Sequence, residues 1–482
     1  MNTVRTRFAP SPTGYLHIGG LRTALYAYLF AKKQGGKFIL RIEDTDLERY
    51  VPGATEIIYD TLKDAGLVYD EGPDVGGAYG PYIQTERKEI YLKYARELIE
   101  RGGAYYCFCT KERLESLRDE NGQRKYDKHC MHLSKEEIQR NLDAGVPYVI
   151  RQNIPAEGSG TYTDMVFGEI TVDYRELEDN VLIKSDGMPT YNFANVIDDH
   201  LMEINYVIRG TEYLSSTPKY NLLYDAFGWE RPHYIHLPPV MRDAQHKLSK
   251  RYGDPSYNDL LKEGFLKEAL VNYIALLGWS PKGNVEKMSF DELKEAFSLE
   301  GLSKSPAIFD KVKLRWMNGE YIKEMTPEQF LAHAKPWFDS AKTAGKYDEL
   351  KLSALMLTRC ETFADLVDKI NFLEEFDGYA LNLFVKPKMK TTLELAKEIL
   401  PSIIETVEGL AEFTQESVHD AMMALVQRLG LKNGQVLWTF RIAITGAEST
   451  PGGAMEMADL LGRERTLARL KESLRRLGEI SA

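Results

Sequence analysis

A chain of 482 residues is too long for a single hydrophobic core and predicts two to four domains. With 43% hydrophobic and 28% charged residues, no apolar run long enough for a membrane span and no signal-peptide core, it is expected to be a soluble cytoplasmic protein with no membrane partner. The net charge of -11 argues against indiscriminate nucleic-acid binding, which needs neutralised phosphates, and four cysteines are too few for a disulfide framework.

The first half alternates strand and helix signals, as expected of a parallel sheet with crossover helices. "RFAPSPTGYLHIGG" opens on a short strand, breaks at Pro10, Pro12 and Gly14, and enters a helix near Leu16 or His17. Apolar residues at Ile18, Leu21, Leu25, Tyr28 and Leu29 carry that helix to Gly35 and Gly36, after which "KFILRIED" reads as the next strand. A segment of about a hundred residues with different punctuation follows, from Glu86 to Asn180, and reads as an insertion in an open sheet. "NVLIKS", "INYVIR" and "HYIHLP" then read as strands, and "SSTPKYNLLYDAFG" as a helix with Pro218 in its first turn and Gly228 at its end. From about Asp254 helical periodicity takes over. Ser289 with Glu292, and Thr326 with Gln329, stand at capping-box spacing.

Two stretches are suited to phosphate. The helix start at "HIGG" offers unpaired backbone N–H groups and the positive end of the helix dipole, His17 is a donor, and Gly19 and Gly20 leave room for a bulky ligand. "HKLSKRYGD" places Lys247 and Lys250 around Ser249 in a loop after the last strand of the sheet, where parallel-sheet proteins bind ligands. Each stretch alone reads equally well as a surface helix cap or a basic loop.

A third constellation is Cys107, Cys109, Cys130 and His132, a C-x-C and a C-x-H pair joined by a loop, which matches the ligand chemistry of a structural zinc. His129 competes for the nitrogen position, and ordinary reduced cysteines are the plain alternative. The terminal run "RERTLARLKESLRR" reads as a solvated basic helix face that could also meet phosphates.

The "HIGG" and "KLSKR" stretches in this order resemble the paired HIGH-type and KMSKS-type motifs of class I aminoacyl-tRNA synthetases. "RIEDTD", "GPYIQTER", "SDGMPTYNFANVIDDHLM", "VIRGTEYLSSTPKYNLLYDAFGW", "KLRWMNGEYI" and "TPGGAMEMADLLGRERTL" extend the resemblance, over nearly the whole chain, to the bacterial glutamyl-tRNA synthetases. One departure is Gly20 in place of the motif's second histidine, which leaves the phosphate role to His17.

The resemblance implies a Rossmann-like α/β catalytic domain in two halves, 1–85 and 181–253, around an acceptor-stem-binding insertion at 86–180 that carries the zinc site. A helical connective domain at 254–322 and an all-α anticodon-binding region at 323–482 would follow. It implies activation of L-glutamate by ATP with Mg²⁺, transfer to tRNA(Glu), bound tRNA as a requirement for activation, and a monomer.

By the same resemblance, His17, Lys247 and Lys250 are catalytic. Pro10, Ser11, Gly14, Gly19, Gly20, Glu212, Leu248, Ser249 and Arg251 join them around ATP. Arg7, Ala9, Ser11, Glu43, Tyr191, Asn195, Arg209 and Tyr213 hold glutamate, with Arg7 and Arg209 on its carboxylates and Glu43 on its ammonium. Two other readings are a non-catalytic tRNA-binding paralogue and a small-molecule nucleotidyltransferase. The first should have lost His17 and the lysines, and the second leaves the long helical region unexplained.

Overall fold

The computed structural model describes residues 3–46, 51–117, 126–248 and 252–479. The chain divides into two compact units, Met1–Leu260 with Leu270–Lys311, and Leu261–Ala269 with Val312–Ala482. Among the described residues no helix is long and apolar enough to cross a membrane.

The first unit is α/β. β1 (Arg5–Phe8) and β2 (Lys37–Leu40) pair in parallel, Arg5 opposite Lys37, and the helix Ile18–Lys33 crosses between them with its apolar residues buried. The chain leaves that helix through Gly35 in the left-handed region, φ +63°. At Gly36 an added Cβ would stand 2.2 Å from the Val4 carbonyl oxygen, so only glycine permits this close return.

β3 (Ala104–Cys107), β4 (Val149–Gln152) and β7 (Val181–Ile183) form an antiparallel sheet in the order β3-β4-β7. The hairpin β5 (Ser159–Asp164) and β6 (Gly168–Asp173) joins a second sheet with β8 (Tyr206–Gly210) and β9 (His233–Leu237), in the order β6-β5-β9-β8. β8, β9 and β5 run parallel there. The entry to β8 is tied to β1, since Asn205 N–H donates to the Arg5 carbonyl at 3.2 Å and Arg5 N–H donates to Asn205 Oδ1 at 2.8 Å. The hairpin lies within 86–180, so a boundary at residue 180 does not coincide with sheet membership.

Beneath the strands lies a network of buried charges. Asp199 holds Arg7 Nε at 3.0 Å and Arg41 Nη1 at 2.8 Å. Asp198 accepts from Arg87 Nε at 2.7 Å, Gln84 Nε2 at 2.9 Å and the Tyr91 hydroxyl at 2.8 Å, with Arg41 Nε 3.7 Å away. Burial opposes ionisation of Asp199, yet Arg7 and Arg41 outweigh it and hold its pKa below the ordinary value.

The second unit is helical around one apolar core that includes Phe330, Phe338, Leu366, Ile403 and Phe440. Both predicted capping boxes close reciprocally, Ser289 with Glu292 in the first unit and Thr326 with Gln329 in the second. The C-terminal helical segment Ala454–Glu479 breaks at Gly462, φ +74°. Its basic run is largely engaged inside the unit. Arg469 Nη1 donates to the Ile444 carbonyl at 2.8 Å, Arg465 Nη1 to that of Lys346 at 3.2 Å and Arg476 Nη2 to that of Tyr379 at 2.6 Å. Lys471 and Arg475 pair with glutamates.

Replacing Asp198 by alanine leaves Arg87 without a compensating charge at full burial, whereas Arg41 keeps Asp199 and Glu43. The expected loss is about 3–5 kcal/mol of unfolding free energy in a urea titration followed by tryptophan fluorescence.

Candidate active site

The loop after β1 continues beside the end of β2. Arg41 N–H donates to the Phe8 carbonyl at 3.0 Å and Glu43 N–H to that of Pro10 at 3.0 Å. The helix then starts at Ile18 with His17 as its N-cap, and His17 Nδ1 accepts from Gly20 N–H at 3.1 Å. A nitrogen that accepts carries the lone pair, so the neutral ring bears its proton on Nε2. A Cβ at Gly20 would come within 2.9 Å of Leu16 Cδ1, and one at Gly19 within 3.3 Å of the His17 ring. The two glycines therefore also make space for their own chain.

This helix start opens on a cleft of about 430 Å³ in the first unit. His17, Ser11, Gly19 and Gly20 line it, together with Ala9, Arg7, Glu43 and Tyr191. Arg209, Glu212 and Tyr213 enter from the end of β8, and Lys247 and Leu248 from a turn after β10 (Val240–Met241). That turn closes through Leu248 N–H to the Val240 carbonyl at 3.1 Å. The exposed Asp243 accepts from the backbone of Gln245 and His246 and from the His246 ring, which pushes its carboxyl down to about 2.

Pro10, Gly14 and Asn195 are not in the lining. Pro10 acts through its carbonyl, and Gly14, φ +119°, turns the loop. Asn195 is 2% exposed one turn beyond Tyr191, with its amide nitrogen unpartnered. Ser249, Lys250 and Arg251 lie outside the described residues. Arg22 and Thr23, a turn further along the helix, also line the cleft, as do Pro239 and Val240. No motif in the sequence singles out Arg22, which lies between apolar positions of the helix.

The electrostatics divide the cleft. Arg7, 5% exposed, is paired with Asp199 and also donates from Nη1 to the Ile208 carbonyl at 3.2 Å. Glu43 accepts from Arg41 Nη2 at 3.0 Å, but burial outweighs Arg41 and Arg7 and raises its pKa. Arg209 is 7% exposed, donates from Nε to His236 Nε2 at 3.1 Å and from Nη2 to Thr217 Oγ1 at 2.7 Å, and faces the Tyr213, Tyr220 and Tyr234 rings at 4.9–5.3 Å. Among the described residues no carboxylate pairs with it directly. A buried guanidinium in that condition favours a carboxylate ligand.

At the end of β3, Cys107, Cys109 and Cys130 bring their sulfurs within 4.8 Å of one another. The Cys109 and Cys130 sulfurs are 3.5 Å apart, close to the roughly 3.8 Å separation that tetrahedral Zn–S bonds of about 2.3 Å impose. His132 does not belong to the group. It is exposed, as is His129, because the 3-10 turn His129–His132 advances about 120° per residue and sends residues two apart to different sides. The Tyr126 hydroxyl takes the fourth side, 3.3 Å from Cys107 Sγ and 3.6 Å from Cys109 Sγ, under the Arg151 guanidinium at 4.2 Å from the ring. Hydrogen bonding from its neighbours, Cys130 foremost, lowers the Cys107 thiol to about 4.

A catalytic-domain family described as class I tRNA synthetases (E and Q) matches residues 3–316, and an anticodon-binding-domain family matches residues 329–474. The chain belongs to the class I tRNA synthetases of the E and Q type. Within that class it is 57% identical to the glutamate–tRNA ligase of Clostridium botulinum strain Eklund 17B over 98% of each chain. It is 55% identical to that of Clostridium tetani over 99% of this chain and 98% of the relative. A crystal structure of a glutamate tRNA ligase from Elizabethkingia meningosepticum in complex with its amino acid superimposes with a TM-score of 0.91 at 36% identity, covering 99% of this chain and all of that one.

If the three sulfurs are the ligands, Cys130→Ser loses bound zinc and His132→Ala keeps about one equivalent. Metal analysis of the purified variants by mass spectrometry checks both.

Proposed function

We propose that the chain is a glutamate–tRNA ligase. The observation that carries the reading is Arg209, a buried cation without a direct acidic partner among the described residues, in one cleft with Arg7, Glu43 and the His17 helix start. Arg209 receives the side-chain carboxylate of glutamate, Arg7 lies toward the α-carboxylate, and Glu43 takes the ammonium. Glutamine would leave Arg209 facing a neutral amide, at a cost of roughly 3–5 kcal/mol, or about two to three and a half decades of affinity.

The α-carboxylate oxygen attacks the α-phosphorus of ATP, a P–O bond forms to the glutamyl group, and the bond to the β-phosphate breaks to release diphosphate. The protein's share is to bring two anions into line and to place donors where charge develops. We assign this share to His17 Nε2–H, the helix N-terminus and Lys247, with Lys250 three residues further along the sequence. Mg²⁺ accompanying ATP supplies further charge neutralisation on the phosphates. A hydroxyl of the 3'-terminal adenosine of tRNA(Glu) then attacks the activated carbonyl, the ester forms and AMP leaves. Activation before tRNA binding is expected to be slight.

We keep the domain reading and move the hairpin β5–β6 into the catalytic domain. Residues 1–85, the hairpin β5–β6 and residues 181–253 form the catalytic domain, and the remainder of 86–180 meets the acceptor stem. The three sulfurs there would hold a structural zinc, with Tyr126 the nearest further donor. Residues 254–322 connect to the anticodon-binding region at 323–482. In the second unit, Arg315, Trp316, Lys323 and Arg359 line a groove of about 280 Å³. Trp316 is 46% exposed there and can stack on an unpaired base.

The deciding experiment is a charging assay with radiolabelled glutamate on separate tRNA(Glu) and tRNA(Gln) transcripts. His17→Ala should lower the rate of activation by about a hundredfold or more with little change in the KM for glutamate. Arg359→Ala should raise the KM for tRNA about tenfold while the constants for glutamate and ATP stay in place. Truncation after Lys323 should abolish charging, whereas a small-molecule nucleotidyltransferase would keep its activity.

A further inference from the structure

Arg209 is held from behind by groups outside the cleft lining. β5 ends at Asp164, opposite Tyr234 of β9, and this pairing sets the Asp164 carboxylate beside His236. Asp164 Oδ1 accepts from Val166 N–H at 2.9 Å and Phe167 N–H at 2.8 Å. Its Oδ2 accepts from His236 N–H at 3.1 Å and stands 2.7 Å from His236 Nδ1. A carboxylate there requires the proton on Nδ1, so Nε2 carries the lone pair that accepts from Arg209 Nε. Thr217, which takes Arg209 Nη2, passes its own proton to the Tyr213 carbonyl at 2.8 Å. His236 is 0% and Asp164 1% exposed, and burial lowers the pKa of His236, which keeps the imidazole neutral.

The chain Asp164–His236–Arg209 solves a problem that a direct ion pair would not. A carboxylate bound to the guanidinium would balance its charge but would occupy donors that a ligand needs. A carboxylate one imidazole away balances the charge, fixes the tautomer and restrains the plane, as carboxylate–histidine pairs do behind metal ions. It also leaves the other edge of the guanidinium to the cleft that Arg209 lines.

We propose that Asp164 and His236 are positioning residues that hold Arg209 for a carboxylate ligand and so set the preference for a carboxylate over a carboxamide side chain in the amino-acid substrate. The inference rests on the proposed contact between Arg209 and the glutamate side chain.

The test uses the full-length protein with tRNA and ATP, and compares glutamate with glutamine. In Asp164→Asn the amide must turn its NH₂ toward donors, either the two backbone N–H groups or the His236 side, where it forces the proton onto Nε2 against Arg209 Nε–H. The KM for glutamate should rise about 10–100-fold, with kcat within about threefold and the KM for ATP unchanged. The ratio of kcat/KM for glutamate over glutamine should fall by a similar factor. His236→Leu should behave alike, while His236→Gln, whose side-chain oxygen can accept from Arg209, should recover most of the loss. That pair also serves if Asp164→Asn does not fold.

Glutamate constants within about twofold of the parent in Asp164→Asn and His236→Leu would overturn the proposal. So would a parallel rise in the KM for ATP with a lowered melting temperature, the pattern of a purely structural role. Arg209→Gln separates the two layers. An unchanged KM for glutamate there rejects the Arg209 contact itself, whereas a raised KM beside unaltered Asp164 and His236 variants rejects only the positioning role.

Discussion

The constraint on which the α/β unit depends is the placement of buried positive charge. Arg5, Arg7, Arg22, Arg41, Arg87 and Arg209 are each at most 7% exposed. Four of them meet carboxylates directly, Arg5 on Glu71, Arg7 and Arg41 on Asp199, and Arg87 on Asp198. Arg22 donates to carbonyls, including that of Leu277 at 3.1 Å, and lies over the Tyr26 ring, and Arg209 meets a histidine and a threonine. Neither has a direct acid partner among the described residues, and both line the cleft. Ion pairs so deeply buried add little net stability, but each fixes a geometry, because removing one partner strands the other. The acidic residues thus come from segments far apart in sequence and lock β1, β2, the turn at Arg87 and the helix Tyr191–Leu201 into one arrangement around the cleft.

Much of this was legible in the chain. The βαβ unit, the capped helices and the strands at 181–183, 206–210 and 233–237 follow from local periodicity and punctuation, and the structure forms them where that reasoning puts them. Most of the residues assigned to glutamate and ATP by family resemblance converge on one cleft. The supports were not legible, because their pairing is non-local. Asp164 and His236 are 72 residues apart, and "GTYTD" reads like any other piece of an inserted segment until its parallel partner is known. His236 sits inside an apolar strand, and its one available signal was a titratable side chain flanked by Ile235 and Leu237.

Two other readings meet local geometry that points elsewhere. The C-x-H spacing suggested His132, but a 3-10 turn does not return residues two apart to one side, and Tyr126, four residues before Cys130, stands against the sulfurs instead. The basic terminal run looked like a solvated face. In the fold, several of its arginines reach backbone carbonyls of Leu410, Lys346, Leu373 and Tyr379, so the positive charge there works largely as internal cement.

The N-cap at His17 has a further consequence. One imidazole closes the first turn of a helix through Nδ1 and carries its donor on Nε2. Protonating that ring would remove the lone pair that accepts from Gly20 and so cost the helix its side-chain cap. The same double duty narrows the substitutions open to it. Asparagine can keep the cap but shortens the donor, whereas lysine can keep a donor but has no lone pair for the cap. Histidine is the side chain that caps the helix with one ring nitrogen and keeps a donor on the other.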